Sequence, residues 1–253
     1  MKLPLVIANW KLNGNKETFS LLLNFLKKNQ EKIEKKCNLS ISPSYVYLYK
    51  FKKIIKKHKY LTLSAQNVDI HLSGSFTGEV SALMLKDMSV KNVLIGHSER
   101  RINHYESQHL ISKKFFLLKN CNLTPVLCIG ETQEERKNNE TIEICKKQID
   151  FIFQSKDKNV FNDTVIAYEP IWSIGTGKSA DPKEVQFILG SLRNYIRKKM
   201  LYSLNNFYLL YGGSINENNI DSFCKRKDID GFLLGNACLN FDSFFKILEK
   251  ISK

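Results

Sequence analysis

The chain has 253 residues, 43% of them hydrophobic, and 39 Lys and Arg against 25 Asp and Glu give it a formal net charge of +14. That is enough apolar material for a sizeable core, although length alone does not separate one domain from two. Lysine pairs such as Lys27-Lys28, Lys35-Lys36, Lys52-Lys53, Lys56-Lys57 and Lys198-Lys199 are scattered among acidic residues without a nucleic-acid motif. They form a solvated basic surface, and neither a nucleic-acid nor a membrane partner is expected.

In chain order, the first apolar run, Leu3 to Trp10, lies between Lys2 and Lys11. It is too short for a signal peptide or a membrane span and reads as the first strand, 4–10. It delivers Asn9 and Lys11 on alternate positions, so both face one side. A helical pattern at 17–30 and strand-like runs at 38–42, 60–66 and 91–96 follow. The last of these ends at Gly96-His97-Ser98-Glu99-Arg100-Arg101. His97 is expected at a helix N-terminus, with Ser98 as the cap and the helix dipole disfavouring the imidazolium. Arg100 reads as half of an ion pair with Glu106 as its partner, and His58, His71, His104 and His109 as structural or surface residues.

A helix at 106–120, a strand at 123–129 and a helix at 131–153 come next. The strand carries Cys128, one of six cysteines without a CxxC pair or a metal-ligand spacing, so no metal is expected and the thiols read as reduced. A cytoplasmic location follows. Strand 164–169 then runs into Glu169 and the loop Pro170-Ile171-Trp172-Ser173-Ile174-Gly175-Thr176-Gly177-Lys178. A carboxylate at a strand end suits a base that must reach a bound substrate. The loop behind it has a stiff proline end, apolar surface from Trp172 and Ile174, and two glycines for unusual backbone angles, which suits a lid. Helix 182–200 and strands 207–211 and 229–234 complete the chain, followed respectively by Gly212-Gly213-Ser214 and by Gly235-Asn236. Eight strands alternating with helices, without a Pro- or Gly-rich linker, point to one closed α/β barrel of eight parallel strands over residues 1–253, with its active site at the strands' C-terminal ends.

These strings, with Ala65-Gln66-Asn67, Phe76-Thr77-Gly78-Glu79, Pro125 to Glu131, Tyr168-Glu169-Pro170, Tyr211-Gly212-Gly213-Ser214 and Asp230-Gly231, occur in an order that resembles the triosephosphate isomerase family over essentially the whole chain. The resemblance implies a (β/α)8 TIM barrel that interconverts dihydroxyacetone phosphate and D-glyceraldehyde 3-phosphate through an enediolate without a cofactor. It makes Glu169 the base, His97 a neutral electrophile, Lys11 the cation and Asn9 a hydrogen-bond donor to the substrate. Phosphate would rest on Gly175, Ser214, Gly235 and Asn236. Ser98 would lie beside the base when the lid is open, Glu99 near Lys11, and Cys128 and Glu131 would support the site. The resemblance also implies a homodimer in which the loop around Thr77 meets Asn9 and Lys11 of the other subunit.

Three positions depart from the family pattern: Asn236 stands where Gly is usual, Ser173 where Ala is usual, and Leu12 where Cys is frequent. A side chain at 236 is expected to sit in a strained backbone region and to weaken phosphate binding slightly. Ser173 bears on how the closed lid packs. Two other readings are a different phosphosugar barrel enzyme, which should lack Asn9, Lys11, His97 and Glu169 together, and a basic barrel-fold binding protein without isomerase activity.

Overall fold

The computed structural model describes residues 2–55, 58–154, 159–173, 175, 177–200 and 204–251. Eight parallel strands close into a barrel: β1 (Leu5–Asn9), β2 (Asn38–Ser42), β3 (Leu61–Ala65), β4 (Asn92–Ile95), β5 (Thr124–Ile129), β6 (Val165–Tyr168), β7 (Tyr208–Tyr211) and β8 (Gly231–Leu234). Each pairs with the next, and β8 returns to β1 with Leu5 opposite Gly231. Around them lie α1 (Lys16–Lys36), α2 (Tyr45–Ile55), α3 (Ala82–Asp87), α4 (Ser98–Asn103), α5 (Gln108–Asn120), α6 (Gln133–Lys137), α7 (Thr141–Phe153), α8 (Pro182–Lys199), α9 (Ile220–Cys224) and α10 (Phe241–Lys250). Among the described residues no helix is long and apolar enough to cross a membrane.

The period-2 alternation of strand side chains produces two cores. Leu5, Ile7, Leu94, Val126, Cys128, Val165, Ala167, Leu210 and Leu233 fill the barrel. Their outward neighbours, including Val6, Ala8, Ile166 and Tyr168, pack beneath the helices. On the β2 to β4 side the interior is polar. Ser40 and Ser64 share a hydrogen bond of 2.6 Å, and Asn92 Nδ2 donates to Ser40 Oγ at 3.2 Å. Extending the inward parity one step beyond the apolar layers brings Asn9, Glu169, Gly212 and Gly235 to the C-terminal mouth.

Helix boundaries shift for local reasons. The run expected as one helix over 131–153 is two. Thr132 and Glu135 form a capping box that starts α6, and the chain turns at Asn139, whose φ is 60°, before α7. Asparagine tolerates that left-handed region better than most residues, so the Asn138-Asn139 pair breaks a continuous helical pattern. The helix expected over 17–30 continues to Lys36, with Leu22, Phe25, Leu26 and Ile33 buried along one face. Helix α5 begins at Gln108, capped by Ser107, whose side chain accepts from Leu110 N.

Candidate active site

The mouth residues converge because each lies at or just beyond a strand end. Lys11 follows β1 with its backbone in the left-handed region at φ 53°. That conformation is held from several sides: Lys11 N donates to Asn9 Oδ1 at 3.0 Å, and Gln66 Nε2 donates to Lys11 O at 2.9 Å and to Ser42 O at 3.0 Å. The local strain is tolerated because these bonds over-determine it. Lys11 Nζ then meets Glu99 Oε1 at 2.6 Å, the proximity that the family resemblance implied. Gly235 keeps the lysine's path open, since a Cβ there would lie 3.1 Å from Lys11 Cε.

His97, not Ser98, caps α4. Its Nδ1 accepts the backbone N–H of Glu99 at 3.3 Å, and Ser98 is the first helical residue. The cap forms because the His97 backbone is extended (φ −52°, ψ 140°) and the ring folds back over the helix start. In the neutral ring, an Nδ1 that accepts leaves the proton on Nε2, which points at Glu169 Oε1 across 3.2 Å.

The helix dipole expected to disfavour the imidazolium is opposed here by neighbouring carboxylates. Burial disfavours the imidazolium, but the Glu169 carboxylate and, more weakly, Glu99 outweigh it, and the His97 pKa is raised. A six-residue helix offers a weak dipole beside a full carboxylate at hydrogen-bond distance. Glu169 shifts the opposite way. Burial works to raise its pKa, yet His97, the Cys128 thiol and Lys11 together lower it. In this arrangement the carboxylate is turned to His97, and among the described residues no hydrogen bond joins it to Ser98. Both residues line a small crevice with Cys128 and Gly130. Burial and the neighbouring carboxylate push the Cys128 thiol well up, so it stays an S–H group.

The ion pair expected for Arg100 is present, with Nε at 2.6 Å from Glu106 Oε1. It belongs to a larger cluster: buried Lys114 Nζ also reaches Glu106 Oε1 at 2.6 Å and donates to Asn67 Oδ1 at 2.8 Å. This ties α4 and α5 to the loop after β3. Glu131, expected as support, is fully buried and accepts from Trp172 Nε1 at 2.8 Å and Tyr168 Oη at 3.2 Å. Arg136 stacks 4.1 Å over the Trp172 ring and pairs with Glu184 at 2.7 Å. Arg136, Glu184 and Gln66 received no role from the sequence, because each acts through a partner distant in the chain.

The lid segment begins with a 3-10 turn, Ile171–Ser173, closed by Ser173 N donating to Pro170 O at 2.8 Å. Gly175 and Gly177 have φ of 70° and 76°, the region that their residue type favours. Ile174 and Thr176 lie outside the described residues. A cavity of about 440 Å³ is lined by Asn9, Lys11, His97, Glu169, Gly175, Ser214, Gly235 and Asn236 together. Asn236 opens a second 3-10 turn, Asn236–Cys238, and is not among the residues of positive φ. The strain expected there is absent, and with it the basis for weakened phosphate binding.

Chemically, the cavity combines a buried carboxylate, an imidazole N–H donor and an ammonium group, the set needed to move a proton beside a carbonyl. The chain also matches the family model described as Triosephosphate isomerase over residues 4–251. The chain belongs to the triosephosphate isomerase family. It is 49% identical over 247 residues to "Triosephosphate isomerase" of Buchnera aphidicola subsp. Cinara cedri, covering 97% of both chains. It is 49% identical over 249 residues to the protein of that name from Buchnera aphidicola subsp. Schizaphis graminum, covering 98% of both. With the Erwinia tasmaniensis protein of that name it shares 45% over 249 residues, 98% of this chain and 97% of the other.

Proposed function

We propose that this chain is the isomerase that interconverts dihydroxyacetone phosphate and D-glyceraldehyde 3-phosphate, a step shared by glycolysis and gluconeogenesis, and that the whole chain is one catalytic domain. The observation that carries the reading is the 3.2 Å approach of His97 Nε2 to Glu169 Oε1 in the cavity that also holds Lys11. Glu169 takes a proton from the carbon beside the carbonyl while His97 Nε2–H donates to the carbonyl oxygen, and an enediolate forms. Glu169 returns the carbon proton to the former carbonyl carbon while the hydroxyl proton passes from one oxygen to the other, which completes the isomerisation. One carbon is oxidised as its neighbour is reduced, so the exchange is internal and balanced. Lys11 and Asn9 face the growing negative charge, and groups fixed there beforehand lower the barrier without reorganising.

Phosphate is assigned to the loops after β7 and β8 and to the lid, through the N–H groups of Gly175, Ser214, Gly235 and Asn236. The barrel fold commonly places a phosphate there. A homodimer through the loop around Thr77 is supported by exposed apolar side chains concentrated in the first four strand-helix units: Leu12, Val46, Tyr49, Phe76, Met84 and Tyr105. Consecutive units are neighbours in the barrel, so these residues lie on its β1 to β4 half, the half that carries the loop around Thr77. Buried thiols at Cys37, Cys121, Cys128, Cys145 and Cys238 that form no disulfide fit a reducing cytoplasm. A coupled assay of triose phosphate interconversion on the purified, folded chain tests the reading. Turnover no faster than buffer would refute it.

A further inference from the structure

Ser173 is fully buried at the end of the turn that opens the lid, and its hydroxyl joins two parts of the site. Oγ donates to Lys178 O at 2.7 Å, which fastens the two stems of the lid to each other. With its single proton given to Lys178, the oxygen still has lone pairs, and it accepts the backbone N–H of Ser214 at 3.2 Å. Ser214 lines the cavity, whereas Ser173 does not. The Ser214 N–H carries one proton, and the phosphate assignment above gives that same proton to the ligand. Two acceptors therefore compete for one donor.

We propose that Ser173 is a positioning residue whose hydroxyl competes with the substrate phosphate for the Ser214 N–H, so that the lid and the phosphate site are coupled through one exchangeable hydrogen bond. This rests on the isomerase reading for the assignment of Ser214 to phosphate. The exchange is sterically simple because the hydroxyl has another neighbour. Tyr211 Oη, which accepts from Ala180 N at 3.1 Å, is also within hydrogen-bond reach of the Ser173 side chain. When Ser214 turns to the phosphate, the Ser173 oxygen can take the Tyr211 proton and no buried polar atom is stranded. The hydroxyl cannot help the phosphate directly, since it lies behind the cavity wall with its proton committed to the lid.

The test is Ser173→Ala in the full chain, with inorganic phosphate as the probe. Removing the competing acceptor should tighten phosphate, lowering both its calorimetric Kd and its inhibition constant by about two- to tenfold, the scale of one neutral hydrogen bond. KM for triose phosphate should fall in parallel. A Kd that is unchanged or raised, in a variant that melts as a folded protein, would overturn the proposal. That result would show that the hydroxyl is only structural or that it supports the site. The calorimetric reading needs no turnover. A wild-type chain without isomerase activity would therefore sink the functional assignment separately, while the direction of the Kd shift could still be read.

Discussion

Replacing Gly212 by alanine would displace the base without replacing it. The inward side of residue 212 faces Glu169: an added Cβ would lie 2.8 Å from Glu169 Cγ and 3.4 Å from Oε1. Carbon atoms in contact rest about 3.5–4.0 Å apart, so the glutamate side chain must retreat by roughly 1 Å. The backbone at 212 is not in the left-handed region, and its N–H bond to Tyr168 O at 2.8 Å can remain, so the effect is steric. Glu169 is buried beside His97, and the retreat carries its carboxylate away from the reacting carbon. A misplacement of that size costs about 10²-fold in rate, or about 2.7 kcal/mol of barrier. Steady-state kinetics in the coupled assay, alongside a thermal melt, should show kcat lowered about 10²-fold with little change in melting temperature. A folded Gly212→Ala protein with kcat within about threefold of wild type would show that this contact does not set the position of the base.

Other outcomes follow from the same geometry. His97→Gln should lower kcat far more than it changes KM, because the N–H acts on charge that develops in the transition state; a change confined to KM would rule out the electrophile role. Shortening the lid between Ile171 and Lys178 should increase methylglyoxal formed per turnover, since an unsheltered enediolate can expel phosphate; an unaltered product ratio would deny the loop that protective role. Thr77→Arg should weaken self-association and make activity depend on protein concentration, and light scattering of an active wild-type monomer at every concentration would contradict it. The Glu169–His97 pair also makes stability depend on pH. The Glu169 pKa is lowered from 4.5, so its contribution exists above that value and is lost as pH falls through the folded pKa. The His97 pKa is raised from 6.5, so its contribution is complete below that value and is lost as pH rises through the folded pKa. The melting-temperature gap between wild type and Glu169→Gln should therefore be greatest at roughly pH 5–6 and shrink toward pH 8. A gap that widens steadily to pH 9 would reverse the assigned signs.

The sequence by itself determined the barrel and the chemistry-bearing residues at its mouth. Short apolar runs mark all eight strands, and Asn9 and Glu169 fall at or just past the ends of two of them, where the pattern placed them; which parity faces the barrel interior is fixed only by the closed sheet, because both faces of these strands are buried. Helix lengths were less legible. A local preference such as the Asn138-Asn139 turn is small against the hydrophobic period around it, and only the folded backbone showed that it divides α6 from α7.

Charge and strain belonged to the tertiary structure. The protonation of His97 answers to a carboxylate 72 residues away in the chain, at 3.2 Å in space, and no local rule about helix ends could report it. Lys11 adopts a left-handed backbone because Gln66, from another strand end, holds its carbonyl, whereas Asn236, expected to be strained, relaxes into a 3-10 turn. The Ser173 hydroxyl reads in sequence as a minor change in a lid. Its meaning arises only when folding brings it against Ser214, since a hydrogen bond acts over about 3 Å and has no signature along the chain.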